Sequence, residues 1–342
     1  MNLIMKSACY LLLSLLFTEP LLAQEELNVY SARKEALIKP LLDQFAQANN
    51  VKVNLVTSKA DALIQRLVSE GKNTPADVLI TVDAGRLYRA KQAGLFQPLN
   101  VENFSDFAPA QFQDPEGYWF GLSVRARTIV YNPQKINEKL PDSYESLAAP
   151  DWKKKICIRS SNNIYNQSLV ASLIAHHGID VTQDWANDFV KNFARKPQGG
   201  DRDQIKAVAA GLCDIALVNT YYLGQMITGS DEEQAAARKV RVLWPNQEPP
   251  HAQGVHVNVS GIGVIKYSER TELAAKLIEF LYTDEAQAWY GNVNFEYPVR
   301  ENIAVNDLLK SWGEFEADTI NLDQLGIHNS EAVRVMDRAG WR

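Results

Sequence analysis

Two tyrosines in consecutive positions, Tyr221 and Tyr222, follow the short aliphatic run Asp214-Ile215-Ala216-Leu217-Val218 and precede Leu223-Gly224-Gln225-Met226. The run reads as a buried strand, and the residues after it as the opening of a helix. In open α/β sheets such a turn lines the ligand crevice, because the carboxyl ends of strands meet the amino ends of helices there. Two phenols at that place can both reach one bound object. As a bare dipeptide they would be packing residues, one ring in the core and one at the surface. Arg125 and Arg127 add cationic groups: spaced by two in Val124-Arg125-Ala126-Arg127-Thr128-Ile129-Val130-Tyr131, they point to one face of an extended run. In isolation that pattern is a solvated strand face.

The elements that must position these groups come from a chain of 342 residues, 46% hydrophobic and 22% charged, which is long enough for two domains. Its net charge of −6 is mild and unclustered, which argues against a nucleic-acid partner. The first two dozen residues read as a secretory leader: Lys6 precedes an almost wholly apolar Ala8 to Phe17, and Ala23 offers a small residue before Gln24-Glu25-Glu26. No later stretch reaches the length of about 20 apolar residues that a spanning helix needs. No cysteine follows the cleavage point to take a lipid, so a soluble protein in a periplasm-like space is expected. Cleavage removes Cys9 and leaves Cys157 and Cys213, either one disulfide or two buried thiols.

Strand and helix patterns alternate from Leu27. Strands are predicted at Leu27–Ser31, Val51–Val56 and Pro75–Ile80, with helices at Glu35–Gln47, Ala60–Ser69 and Ala84–Ala93. That order is the mark of a mostly parallel sheet with covered faces. A second α/β series follows: a strand through Ile156 and Ile158, helices at Gln167–His176, Asp184–Phe193 and Asp203–Ala210, and then the tyrosine strand. The pattern turns extended again at His256–Val264, with helices at Thr271–Leu281 and Ala286–Tyr290. A chain that builds one lobe, then another, then returns must cross twice, here near residues 122–127 and 248–258.

Taken together, Val29-Tyr30-Ser31-Ala32-Arg33-Lys34-Glu35-Ala36, Thr74-Pro75-Ala76-Asp77-Val78, Gly121-Leu122-Ser123-Val124-Arg125-Ala126-Arg127, Asn219-Thr220-Tyr221-Tyr222 and Glu296-Tyr297-Pro298 resemble the periplasmic ferric-ion-binding proteins that serve iron ABC importers. The resemblance implies an α/β, type II periplasmic-binding-protein fold of two lobes, each a mixed sheet covered by helices, joined by two crossing hinge strands. The implied division is a signal peptide at 1–23, an amino-terminal lobe at 24–124 plus about 252–301, and a carboxy-terminal lobe at about 125–251 plus 302–342. It also implies that Tyr221 and Tyr222 are metal ligands, that Tyr165 is the third tyrosine of one subclass, and that Arg125 holds a carbonate-like synergistic anion. Other subclasses add a His or His-Tyr pair after the first strand and a Glu after the third. Here Arg33, Lys34 and Glu35 fill the first place and the third strand runs on to Val82, so a site of three tyrosines is expected, with Arg33 helping from the opposite lobe. Tyr30 and Asp83 are read as structural.

Fe(III) is a hard ion that prefers oxygen donors. A bound cation can displace the phenolic proton although the free pKa is near 10. Three phenolates neutralise one ferric ion, and a bidentate anion held by a planar guanidinium can fill the remaining positions. The expected protein is therefore a non-enzymatic receptor that hands Fe(III) to an inner-membrane permease, acting as a monomer. The other readings are a receptor of the same fold for a small anion held by Arg33, Arg125 and Arg127 without metal, and an exported two-lobed enzyme. The sequence contains no Gly-x-Ser-x-Gly, His-Glu-x-x-His or phosphate-binding glycine loop. The adjacent His176-His177 precedes Gly178 at a helix end, where a cation favours the helix dipole, and is read as a cap.

Overall fold

The computed structural model describes residues 24–99, 108–136 and 139–342. The stretch read as a secretory leader, residues 1–23, lies outside the described residues. Among the described residues no helix is long and apolar enough to cross a membrane.

Among the described residues nine strands form the framework: β1 (Glu26–Ser31), β2 (Lys52–Thr57), β3 (Val78–Val82), β4 (Phe120–Tyr131), β5 (Ile156–Cys157), β6 (Ile215–Asn219), β7 (Arg241–Leu243), β8 (Val257–Val264) and β9 (Tyr297–Pro298). Their order is β2-β1-β3-β8-β4-β6-β5, with β7 and β9 also pairing β4. β1 runs parallel to β2 and β3, while β8 enters antiparallel to β3, so the first lobe is a mixed sheet. Its helices follow from apolar spacing: Glu35–Asn49 buries Ile38, Leu41, Leu42 and Phe45 on one stripe, and ends where Asn50 turns left-handed at φ 51°.

β4 joins the lobes. From Phe120 to Ala126 it pairs with β8, and from Arg127 to Tyr131 with β6. One continuous strand thus belongs to both sheets, and its change of partner falls between Ala126 and Arg127. The chain returns between β7 and β8, where the Arg127 amide donates to His256 O at 3.0 Å. The first change of partner falls at Ala126 and Arg127, and the return occupies the residues between Leu243 and Val257.

Each lobe has its own core. Leu27, Val29, Phe45, Leu79, Trp119, Val259 and Leu277 belong to the first. In the second, β6 is buried on both faces: Ile215 and Leu217 pack with Phe189 and Trp341, and Ala216 and Val218 with Val208 and Met226. That explains why β6 reads as a continuous apolar run rather than an alternation. A disulfide joins Cys157, which ends β5, to Cys213, just before β6, with Cα atoms 5.8 Å apart. The segment after residue 302 serves both lobes, since Leu322 and Leu325 lie in the first core and Ala332, Val335 and Trp341 in the second.

Helix starts differ from the sequence expectation at two informative places. The helix expected from Gln167 begins at Ile164, because the Asn163 side chain caps it by accepting from the Asn166 amide at 3.3 Å. Tyr165 is thereby placed in a first helical turn. The helix expected from Asp184 begins at Ile179, directly after Gly178, whose φ of 81° ends the preceding helix.

Candidate metal centre

The three tyrosines picked out by the sequence meet at the face of the second lobe. Tyr165 stands in the first turn of helix Ile164–His177, and Tyr221 and Tyr222 stand in the first turn of helix Thr220–Ile227, which opens straight out of β6. The Tyr221 hydroxyl donates to the Tyr165 oxygen at 3.1 Å, and the rings of Tyr221 and Tyr222 lie 4.3 Å apart between centroids. Adjacent oxygens around a small hard cation, with metal–oxygen bonds of about 2.05 Å at right angles, stand about 2.9 Å apart. The Tyr221 and Tyr165 oxygens, 3.1 Å apart, are close to that spacing. Helix amino termini also favour negative charge at this point.

Burial, together with the neighbouring Tyr165 phenol, holds the Tyr221 pKa well above its ordinary value. The same two causes, burial first, push Tyr222 up to about 12. Both phenols are therefore protonated at neutral pH until a cation displaces the proton.

The arginines divide sharply by what their guanidinium nitrogens do. Arg125 is 6% exposed and lies over the Tyr221 ring, its carbon 5.1 Å from the centroid. Its Nε stands 3.3 Å from Glu296 Oε1, an ion-pair distance without hydrogen-bond alignment, and its buried Nη1 has no hydrogen-bond partner. Burial opposes its charge, but Glu296 and the phenols outweigh that and keep it firmly protonated. Arg33 and Arg127, in contrast, have both Nη atoms engaged within the protein. Arg127 donates from Nη1 to Asn219 Oδ1 at 2.8 Å and from Nη2 to Asn166 Oδ1 and Leu217 O. Arg33, expected to help hold an anion, instead forks onto Glu296 at 3.0 and 3.1 Å and donates from Nη1 to Ser260 as well. It points at a buried carboxylate, whose charge it compensates together with Arg125.

Behind the tyrosines, Asp201 ties the second lobe together. One oxygen accepts from Arg159 Nη1 at 3.0 Å; the other accepts from the Asn219 amide at 2.8 Å and lies 3.5 Å from Arg127. Because Asn219 ends β6, Asp201 pins the turn that presents Tyr221 and Tyr222. Arg159 in turn lies over the Tyr165 ring, 5.7 Å from its centroid. Sequence reading missed Asp201, Arg159 and Glu296 as site residues. Only Glu296 left a trace, inside Glu296-Tyr297-Pro298.

The remaining expectations are placed as follows. Lys34 and Glu35 are exposed at the start of helix Glu35–Asn49. Tyr30 is buried and donates to Glu70 at 3.1 Å. Asp83, held at φ 82°, accepts from Asn258 and from Ser168 at 2.7 Å each, so it spans from the end of β3 to the helix that carries Tyr165. His176 and His177 pair with Asp318 and Glu145 at 2.9 and 2.7 Å.

Comparison with known proteins gives concordant results. The profile of the family "Bacterial extracellular solute-binding protein" matches residues 73–317. Iron uptake protein A1 of Synechocystis sp. is 47% identical over 320 residues, 93% of this chain and 88% of that protein. The Trichodesmium protein solved in complex with iron and citrate superposes with a TM-score of 0.89 at 47% identity, covering 93% of this chain and all 100% of that one. The ferric binding protein of Campylobacter jejuni superposes with a TM-score of 0.85 at 35% identity, over 92% and 100% of the two chains.

Proposed function

The chain belongs to the bacterial extracellular solute-binding protein family, and from that premise we propose that it captures ferric iron outside the cytoplasm and delivers it to an inner-membrane ABC importer. Tyr165, Tyr221 and Tyr222 supply the phenolate ligands. Arg125 holds a synergistic anion, carbonate or a close relative, against the open side of the ion. The observation that supports this reading most is the convergence of three phenols on a buried guanidinium whose Nη1 is unpartnered.

The chemistry is additive in charge. Three phenolates balance Fe(III), and hard oxygen donors discriminate against softer, lower-charged ions. A buried donor left without a partner costs about 1–3 kcal/mol, more when charged, so the Arg125 Nη1 is a poor resting arrangement unless an acceptor arrives. A bidentate oxyanion satisfies it and the metal at once. With all three tyrosines on the second lobe, iron can load there first, and rotation at the β4 and β8 crossings then brings the first lobe over it. The metal-free anion receptor is not favoured, because two of its three arginines already have their Nη atoms engaged within the protein.

Uptake of radiolabelled ferric citrate by cells whose own copy is deleted tests the whole reading. Uptake is expected to fall on deletion, to return with the wild-type gene and to stay low with Tyr221→Phe/Tyr222→Phe. Full restoration by that double variant would contradict the assignment.

A further inference from the structure

The proposed ligands all stand on the second lobe, yet the first lobe builds a buried polar cluster against Arg125. Glu296 is 2% exposed and receives both Nη atoms of Arg33, a hydroxyl donation from Ser123, the Ser260 hydroxyl at 3.4 Å and the flank of Arg125 at 3.3 Å. Burial alone would raise its pKa, but Arg33, Arg125 and the hydrogen bonds from Arg33 and Ser123 bring it down to about 2. The placement is fixed by the backbone: β9 sets Tyr297 opposite Val124 and Pro298 opposite Ser123, which brings the preceding Glu296 alongside Arg125.

Two guanidinium groups and one carboxylate leave one net positive charge. Arg33 uses both Nη atoms internally, so of the two guanidinium groups it is Arg125 that keeps an Nη atom without a partner. Without Glu296 the two cations would repel across a low-dielectric gap, and Arg125 would have no fixed flank.

The same turn also touches the ligands. Phe295 sits at φ 55°, a left-handed conformation rarely taken by a bulky residue, after a π-helical turn at Tyr290–Asn294. Its ring packs with Tyr221 in one cluster, and it lies so close to helix Thr220–Ile227 that a Cβ at Gly224 would stand 2.5 Å from Phe295 Cγ. Strained backbone of this kind persists where the surrounding structure over-determines it, and it gathers at ligand clamps.

We propose that Glu296 is a positioning residue for iron capture: it fixes the Arg125 guanidinium for the synergistic anion, while the adjoining Phe295 carries that anchorage to Tyr221. The inference rests on the anion role of Arg125 given above. Its consequence is that the first lobe contributes order rather than a ligand, so Glu296 governs how much anion is needed to bind iron.

The test is iron binding by the full mature chain as a function of bicarbonate, read from visible absorbance, for wild type, Arg125→Met, Glu296→Gln and Ser123→Ala. Wild-type binding tightens with bicarbonate and saturates, and Arg125→Met loses that dependence. Glu296→Gln keeps its three phenols and so still colours, but the bicarbonate giving half the effect rises roughly 10- to 100-fold, the usual cost of removing a supporting partner. Should Glu296→Gln not fold by circular dichroism, Ser123→Ala, which removes one donor to Glu296, is expected to shift the same midpoint upward by roughly threefold. A folded Glu296→Gln with a wild-type midpoint, or an unshifted Ser123→Ala where Glu296→Gln is unfolded, overturns the inference alone. A coloured wild type indifferent to bicarbonate overturns the anion role and this inference with it, and a colourless wild type overturns the iron reading itself.

Discussion

Replacing Tyr221 and Tyr222 together by Phe lowers ferric-iron affinity by on the order of a thousandfold or more, equivalent to ~4 kcal/mol or more. The substitution removes two of three anionic oxygens while keeping both rings, whose centroids lie 4.3 Å apart, and the contact of Tyr221 with Phe295. Folding is little affected, because the hydrogen bonds lost, from Tyr221 to Tyr165 and those of Tyr222 with the same two phenols, leave behind only the half-buried Tyr165 phenol, which can turn to solvent or water. Each single change costs less than the pair, since the two remaining phenolates still chelate. Competition against a chelator of known ferric affinity measures the loss, with circular dichroism as the control for folding. An unchanged affinity in the folded double variant would remove the tyrosines from the site.

Iron binding is also expected to weaken steeply as pH falls. In the iron-free protein, burial and the Tyr165 phenol hold Tyr221 well above its ordinary pKa, and burial first, then Tyr165, takes Tyr222 to about 12. Both carry a proton at pH 7, and iron must expel one from each. The sign follows directly: the bound state holds fewer protons, so raising pH favours it and lowering pH opposes it. Each displaced proton is worth tenfold per pH unit, so Tyr221 and Tyr222 together give roughly a hundredfold per unit between pH 6 and 8. The readout is the slope of log affinity against pH, corrected for the competitor, and each Tyr→Phe change should reduce it by about one. A flat profile would mean that no phenol is deprotonated on binding.

How much of this was legible in the sequence depended on the range of the interactions. β6 could be read because four consecutive apolar residues, Ile215 to Val218, buried on two faces leave an unambiguous run, and the first-lobe helix Glu35–Asn49 because its four buried residues follow the helical period. The β4 crossing was legible because an extended run continues past the residues that close one lobe. Helix beginnings were less so: Asn163 and Gly178 set them locally, through a cap and a left-handed turn that hydropathy does not record. Tyr221, Tyr222 and Arg125 stood out by the strand-to-helix turn and the period-two spacing, but Tyr165 and the roles of all four came through resemblance. Glu296 and Asp201 escaped for a physical reason. A lone acidic residue in sequence is normally solvated, and only the fold brings Arg33 across 263 positions to Glu296, or Asn219 to Asp201, and turns each carboxylate into a buried organiser. Arg33 was placed in the right neighbourhood but aimed at the wrong partner, for the same reason.

The most direct test of the central claim, that three phenols of the second lobe hold ferric iron, is the visible absorption spectrum of the purified mature protein mixed with ferric citrate and bicarbonate. A phenolate-to-iron charge-transfer band that colours the wild type, and fades in Tyr165→Phe, Tyr221→Phe and Tyr222→Phe, is the expected result. A protein that stays colourless at saturating iron would contradict it.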